Sequence, residues 1–216
     1  MERARSMVGL SPRFLALLEQ EGLGGRRVLD LGCGGGRLAL VLAASAARVV
    51  GLDRDARALV DARARAAAAG LGNVEFHEAD VEREEYVRFT PDLITAYLCA
   101  SDAIMERAGR ALAPDGCLGM VAFHVDQWRE TGRVSRFAYD EARMEAALRR
   151  AGFEPEVVAV EREVLCFPSV EAGLAAAVGL EDRWKVDGRW YAYIGFLEAG
   201  GRTLTRSHLI VKARKR

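Results

Sequence analysis

Between two apolar runs the chain places four glycines within five positions, Gly32-Cys33-Gly34-Gly35-Gly36. The residues before them, Arg27 to Leu31, read as a buried strand, and those after them, Arg37 to Ala47, as a strongly apolar helix. Glycine adopts backbone angles that side chains forbid and lets a ligand approach closely. The first turn of the helix that follows offers N–H groups with no partner inside the helix. In an open parallel sheet, ligands sit at the carboxyl ends of the strands near the switch in strand order, and this turn falls at that edge.

The rest of the chain keeps the same alternation. Ser11-Pro12 predicts a helix start, with Phe14, Leu15, Leu17 and Leu18 as its buried side and Gly22, Gly24 and Gly25 ending the segment. Val49 to Leu52 is a second strand ending in Asp53. Asp55 then caps a helix with Leu59, Ala62 and Ala66 on one face, stopped by Gly70. Val74 and Phe76 mark a third strand ending at Asp80, and Asp92 to Leu98 a fourth. Ser101 caps a helix through Ile104, Met105, Ala108 and Leu112. The turn Pro114-Asp115-Gly116 leads into a fifth strand, Cys117 to Phe123. Asp140 caps a helix carrying Met144, Ala147 and Leu148, and Gly152 ends it. A sixth strand is expected near Val157 to Cys166 and a seventh near Ser207 to Ala213. Strands alternating with helices of this length predict an α/β fold, a doubly wound, mostly parallel sheet in one domain over residues 1–216.

Composition narrows the function. With 216 residues, 50% of them hydrophobic, and no net charge, the chain suits one medium globular domain and lacks the basic footprint of a nucleic-acid binder. The one dense basic run, Lys212 to Arg216, reads as a solvated end. Cys33, Cys99, Cys117 and Cys166 are widely spaced without a CxxC pair, which argues against a metal site or a disulfide framework and for free thiols in a reducing cytoplasm. The N-terminus has arginines but no continuous apolar stretch, so no signal peptide is expected. The most apolar segment, Leu38 to Leu52, is too short to span a membrane.

Spacing and charge then address the ligand. The dinucleotide fingerprint GxGxxG, counted from Gly32, needs a glycine where this chain has Arg37. Asp30, two residues before Gly32, would repel a pyrophosphate but suits a ligand carrying an ammonium and a sulfonium. Asp53 can accept from two ribose hydroxyls, and Asp80 from an adenine amino group. Taken singly, each has a structural reading too: the glycines make a tight turn, and Asp53 and Asp55 cap a helix.

In order and spacing, Asp30-Leu31-Gly32-Cys33-Gly34-Gly35-Gly36, Gly51-Leu52-Asp53, Ala79-Asp80-Val81, Asp92-Leu93-Ile94 and Ala111-Leu112-Ala113-Pro114-Asp115-Gly116 resemble the class I S-adenosylmethionine-dependent methyltransferases. The likeness runs from about Val28 to Phe167, and the final strand fits the same scheme. It implies a Rossmann-like seven-stranded sheet with the last strand antiparallel, and S-adenosylmethionine as cofactor. It also implies that Gly32 and Gly34 approach the methionine portion, Asp53 the ribose, and that Asp80 and Val81 flank the adenine; Asp30 and Cys33 are expected among the cofactor-binding residues with them. Tyr97 would lie near the methionine end. Arg54 departs from the family, which often has an apolar residue there; its stem or guanidinium plane is expected to cover the adenine face instead.

For the chemistry, His124 at the end of the fifth strand is the expected base, where one is needed, and Tyr97 the residue that orients the nucleophile or walls the pocket. His77 and His208 read as structural, and Cys99 as a buried small residue. Thr95-Ala96-Tyr97-Leu98 lacks the Asn/Asp-Pro-Pro-aromatic motif of exocyclic amino methylation. With the neutral charge, that favours a small-molecule acceptor over nucleic acid. Pro168 to Gly201 is an insertion that carries Trp184, Trp190, Tyr191, Tyr193 and Phe196. With the N-terminal helix, residues 1–25, it is expected either to cap the site with an aromatic wall or to bury those rings in a core of its own. The expected function is methyl transfer to a small molecule. A non-catalytic module that binds S-adenosylmethionine or its product, and a methyltransferase of RNA or protein, are the alternatives. The oligomeric state is not encoded in any feature of the sequence.

Overall fold

A computed structural model of the chain describes residues 9–216. The first part of the 1–25 helical segment, and the stretch on which the signal-peptide expectation rests, lie outside the described residues. The chain divides into two compact units. One comprises Leu10–Ala122, Glu141–Ala159 and Leu209–Arg216; the other comprises Phe123–Asp140 and Val160–His208, with Gly9.

The larger unit holds most of the predicted sheet. The strands of that sheet are β1 (Arg27–Leu31), β2 (Arg48–Asp53), β3 (Val74–Glu78), β4 (Leu93–Tyr97), β5 (Cys117–Phe123), β6 (Phe153–Cys166) and β7 (Thr203–Lys215), in the order β3-β2-β1-β4-β5-β7-β6. Pairings from β3 through β5 are parallel, with Leu29 opposite Val50 on one side and Ile94 on the other. β7 runs antiparallel to β5: the Lys215 N–H donates to Gly116, while the His124 N–H donates to Ser207, so numbering rises on one strand as it falls on the other. The chain leaves β1 toward β2 and β3 and then returns to β4, so the switch in strand order lies between β1 and β4. That puts the glycine turn and Tyr97 side by side.

The helices start where the caps predict. Ser11 Oγ accepts from Phe14 at the start of α1 (Pro12–Glu19), and Asp55 accepts from Arg57 and Ala58 at α3 (Ala56–Ala68). Ser101 accepts from Ile104 at α4 (Asp102–Ala111). α2 (Arg37–Ala43) stops four residues before the predicted Ala47, and α5 (Glu141–Arg150) precedes β6. The apolar faces of α1, α2 and α3 meet the sheet through Phe14, Leu18, Leu38, Leu42, Leu59 and Ala62, all buried.

The basic run Lys212 to Arg216 is not a solvated end. Through Lys215 it is the last part of β7, where Lys212 and Arg214 pair with Glu21 and Glu156, and just beyond the strand Arg216 pairs with Glu154. Strand pairing holds the backbone there, and acidic residues on neighbouring segments neutralise the charge.

The smaller unit contains the outer parts of β6 and β7 and the three helices α6 (Val170–Ala177), α7 (Glu181–Asp187) and α8 (Arg189–Glu198). Trp184 and Tyr193 are fully buried, at 0% exposure, in a cluster with Trp128, Trp190, Leu197 and Leu204. Trp128 meets Trp184 edge-on at 5.1 Å between ring centres. The insertion's large rings thus form a core of their own, while Tyr191 is exposed. Among the described residues no helix is long and apolar enough to cross a membrane.

Candidate functional site

The glycine turn owes its shape to left-handed glycines with side chains packed closely against two of them. Gly32 has φ +66°, and a Cβ there would lie 2.5 Å from Cys99 Sγ. Gly36, the residue before α2, has φ +77°, and a Cβ would lie 3.0 Å from both Ala62 and Phe76. Between them the Gly34 N–H donates to Asp53 Oδ2 at 2.7 Å, while Asp53 Oδ1 accepts from the Asp55 N–H at 2.9 Å. One carboxylate therefore fixes the turn after β1 to the end of β2. Each of its oxygens keeps a lone pair for a further donor. From α3, Arg65 donates to the Gly35 carbonyl at 3.1 Å.

Asp30 lies behind the turn at 1% exposure. Thr95 of β4 donates to its Oδ1 at 2.9 Å, and its buried Oδ2 has no hydrogen-bond partner among the described residues. Burial raises its pKa to about 7, against the Thr95 hydroxyl and the Ala39 N–H, with the Asp53 charge adding to the rise. Such a group favours a cation placed against it.

Three further predicted residues line this end of the sheet. Tyr97 accepts from the Ser11 N–H through its hydroxyl at 2.9 Å, and its ring lies against Phe14. Cys33 is held protonated by burial and by the Asp30 and Asp53 charges. Arg54 is exposed and makes no hydrogen bond or ion pair among the described residues. At the end of β3, the Ala79 N–H donates to the Asp53 carbonyl, which brings the next two residues to the same edge. Asp80 Oδ1 accepts from the Glu82 N–H at 3.0 Å, and the Val81 N–H has no partner among the described residues. Asp80, Val81 and Asp53 thus join the glycine turn along one edge.

His124 belongs to the smaller unit. It is 5% exposed, with Nδ1 2.8 Å from Ser207 Oγ and accepting the Asp126 N–H at 3.2 Å.

A family model described as a methyltransferase domain matches residues 24–158, a span that holds the turn, Asp53, Asp80, Val81 and Tyr97. The chain belongs to this methyltransferase family. Its cofactor is accordingly S-adenosylmethionine. A buried Asp30 oxygen and a Val81 N–H that have no partner among the described residues, beside a turn of positive-φ glycines, fit such a ligand.

Two curated relatives indicate the family's range. A ribosomal protein L11 methyltransferase of Xylella fastidiosa is 40% identical over 116 residues, 52% of this methyltransferase-family chain and 37% of the relative. A ubiquinone biosynthesis O-methyltransferase of Paracidovorax citrulli is 45% identical over 60 residues, 28% of this chain and 25% of the relative. The chain spans well under half the length of the curated relatives it matches. The crystal structure of YcgJ from Bacillus subtilis superposes with a TM-score of 0.72 at 17% identity, over 95% of this chain and 99% of that one, and so shares the fold.

Sequence reasoning missed Thr95 and the packing of Cys99 on the turn. Burial, then Asp53 and Asp30, raise the Cys99 thiol to about 11. One signal was available: if β4 pairs with β1, the residues following β4 must abut the turn following β1.

Proposed function

We propose that this methyltransferase-family chain transfers the methyl group of S-adenosylmethionine to a small-molecule acceptor. The observation that carries the cofactor half of this reading is the Asp53 carboxylate. It spans the glycine turn and the end of β2, with acceptor capacity left for two ribose hydroxyls. In this reading Gly32, Cys33 and Gly34 let the methionine portion approach the backbone. Asp30 faces the ammonium, Asp80 and Val81 take the adenine edge, and the stem of Arg54 covers its face. Tyr97 closes the methionine end, braced by α1 through Ser11.

When bound, the cofactor supplies a methyl group already activated by its sulfonium, so the protein acts chiefly by orientation, an effect that reaches ~7–11 kcal/mol in favourable cases. His124 is the base where the acceptor atom must lose a proton. Its Nδ1 lies against the Asp126 N–H and the Ser207 hydroxyl.

The small-molecule half rests on the neutral charge and the absent amino-methylation motif, and the quinone-pathway relative supports it. Labelled S-adenosylmethionine incubated with the protein and, separately, metabolite extracts, RNA and ribosomal protein decides the matter. Label in a low-mass product supports the proposal; label confined to RNA or protein overturns the acceptor class. Tight binding without transfer to any pool makes the chain a non-catalytic binding module.

A further inference from the structure

The segment joining β3 to the buried Tyr86 begins with Asp80 and Val81. It is held to itself at its start, where the Asp80 carbonyl accepts from the Arg83 and Glu84 N–H groups, each at 2.9 Å. From beneath, the fully buried Tyr86 donates its hydroxyl to the Val81 carbonyl. From the side comes Arg107 of α4. Its Nε–H donates to the Glu82 carbonyl at 2.7 Å and its Nη1 to the Glu84 carbonyl at 3.4 Å, while the guanidinium also pairs with Glu85. The Arg107 side chain is only 20% exposed. A planar guanidinium with several fixed donors holds two carbonyls at a set separation, which a single ammonium cannot do.

We propose that Arg107 is a positioning residue for adenine recognition, its fork keeping the Asp80 carboxylate and the Val81 N–H at the spacing of a 6-aminopurine edge. This rests on reading Asp80 and Val81 as the adenine subsite. The chemistry makes the consequence specific. A 6-aminopurine presents a donor beside an acceptor, complementary to a carboxylate beside an N–H; a 6-oxopurine presents the reverse order. Discrimination between them depends on holding both protein groups rigid, because a loop that yields re-pairs with the wrong base. Thermal stability alone does not require that discrimination.

The test is calorimetric binding of S-adenosylhomocysteine and its 6-oxopurine counterpart, S-inosylhomocysteine, to the wild type, Arg107→Met and Arg107→Lys. We expect the wild type to prefer the adenosyl ligand. Arg107→Met lowers adenosyl affinity about tenfold and leaves inosyl affinity within about twofold, so the preference collapses. Arg107→Lys keeps the pairing with Glu85 and the melting temperature but loses the preference as well, which separates the fork from the charge. Variants that keep the wild-type preference overturn the role of Arg107 alone. A wild type that binds both ligands equally, or neither, overturns the adenine reading of Asp80 and Val81 together with it.

Discussion

Tyr97 and Ser11 are joined across 86 positions of sequence: the hydroxyl at the end of β4 accepts the backbone N–H of the residue that caps α1. The phenol thus fastens the first described helix to the carboxyl edge of the sheet. Tyr97→Phe keeps the ring against Phe14 and removes the hydroxyl that accepts the Ser11 N–H. The expected cost is about 1 kcal/mol, a fall of several degrees in melting temperature. S-adenosylhomocysteine affinity measured by calorimetry should change by less than about threefold. A larger loss would mean that the hydroxyl itself contacts the ligand.

Gly32 carries a sharper expectation. Gly32→Ala meets both a left-handed backbone and Cys99, whose Cβ would lie 2.6 Å from the new methyl group. The single substitution should reduce cofactor affinity at least about tenfold and destabilise the fold by roughly 2 kcal/mol or more. Adding Cys99→Gly removes the collision but not the backbone strain, so the double variant should recover part of the stability. Equal stability of the single and double variants, read by denaturant melts, would show that the contact is not what limits this site.

Asp30 predicts an unusual response to pH. Its folded pKa, raised to about 7 by burial, stands above the ordinary carboxylate value of 3.8. Between those values the folded chain binds more protons than the unfolded one, so stability declines as pH rises through the window and levels off above about 7. The slope is at most about 1.4 kcal/mol per pH unit. The charged or titratable groups acting on Asp30 are Asp53 on β2, and Cys33 and Cys99 beside the turn. His208 acts in the opposite sense, since burial and then Arg206 lower its pKa to about 4, so stability is lost as pH falls below about 6.5. The difference between wild type and Asp30→Asn isolates the carboxylate. The variant should gain stability relative to wild type as pH goes from 5 to 8, and pH-independent differences in denaturant melts would refute this.

Glu21 works the other way. Hydrogen bonds from Arg214 and then Lys212 lower its pKa to about 2 despite its burial. Its contribution is present above the ordinary 4.5 and is lost as pH falls toward 2. Glu21→Gln leaves two cations on β7 short of a partner and should cost about 2–4 kcal/mol at pH 7. That difference should shrink steadily below pH 4.5 in urea melts.

The elements legible in the sequence are those governed by local rules. The glycine turn, the caps at Ser11, Asp55 and Ser101, and the strands β1 and β5 all announce themselves by residue type over a few positions. What escaped notice depends on strand order. Thr95 reaches Asp30 and Cys99 reaches Gly32 because β4 lies beside β1, a neighbour far away in the chain. Arg107 is one arginine among many until α4 packs beside the segment after β3. The basic run at residues 212–216 differs from its sequence expectation for the same reason: its partners Glu21 and Glu156 are distant in sequence and close in space.

The order β5-β7-β6 sets a constraint on biosynthesis. β6, 14 residues long, borders β7 alone, and β7 comes after it in the chain. While a ribosome extends the polypeptide, β1 to β5 can pair as they emerge, but β6 must wait with its backbone groups unsatisfied until the residues of β7 arrive and slot in between. A strand left in that condition is a template for pairing with other chains. β6 therefore gains its strand partner only once β7 takes its place between β5 and β6, and the pairing of Glu21 with Lys212 and Arg214 helps hold β7 there.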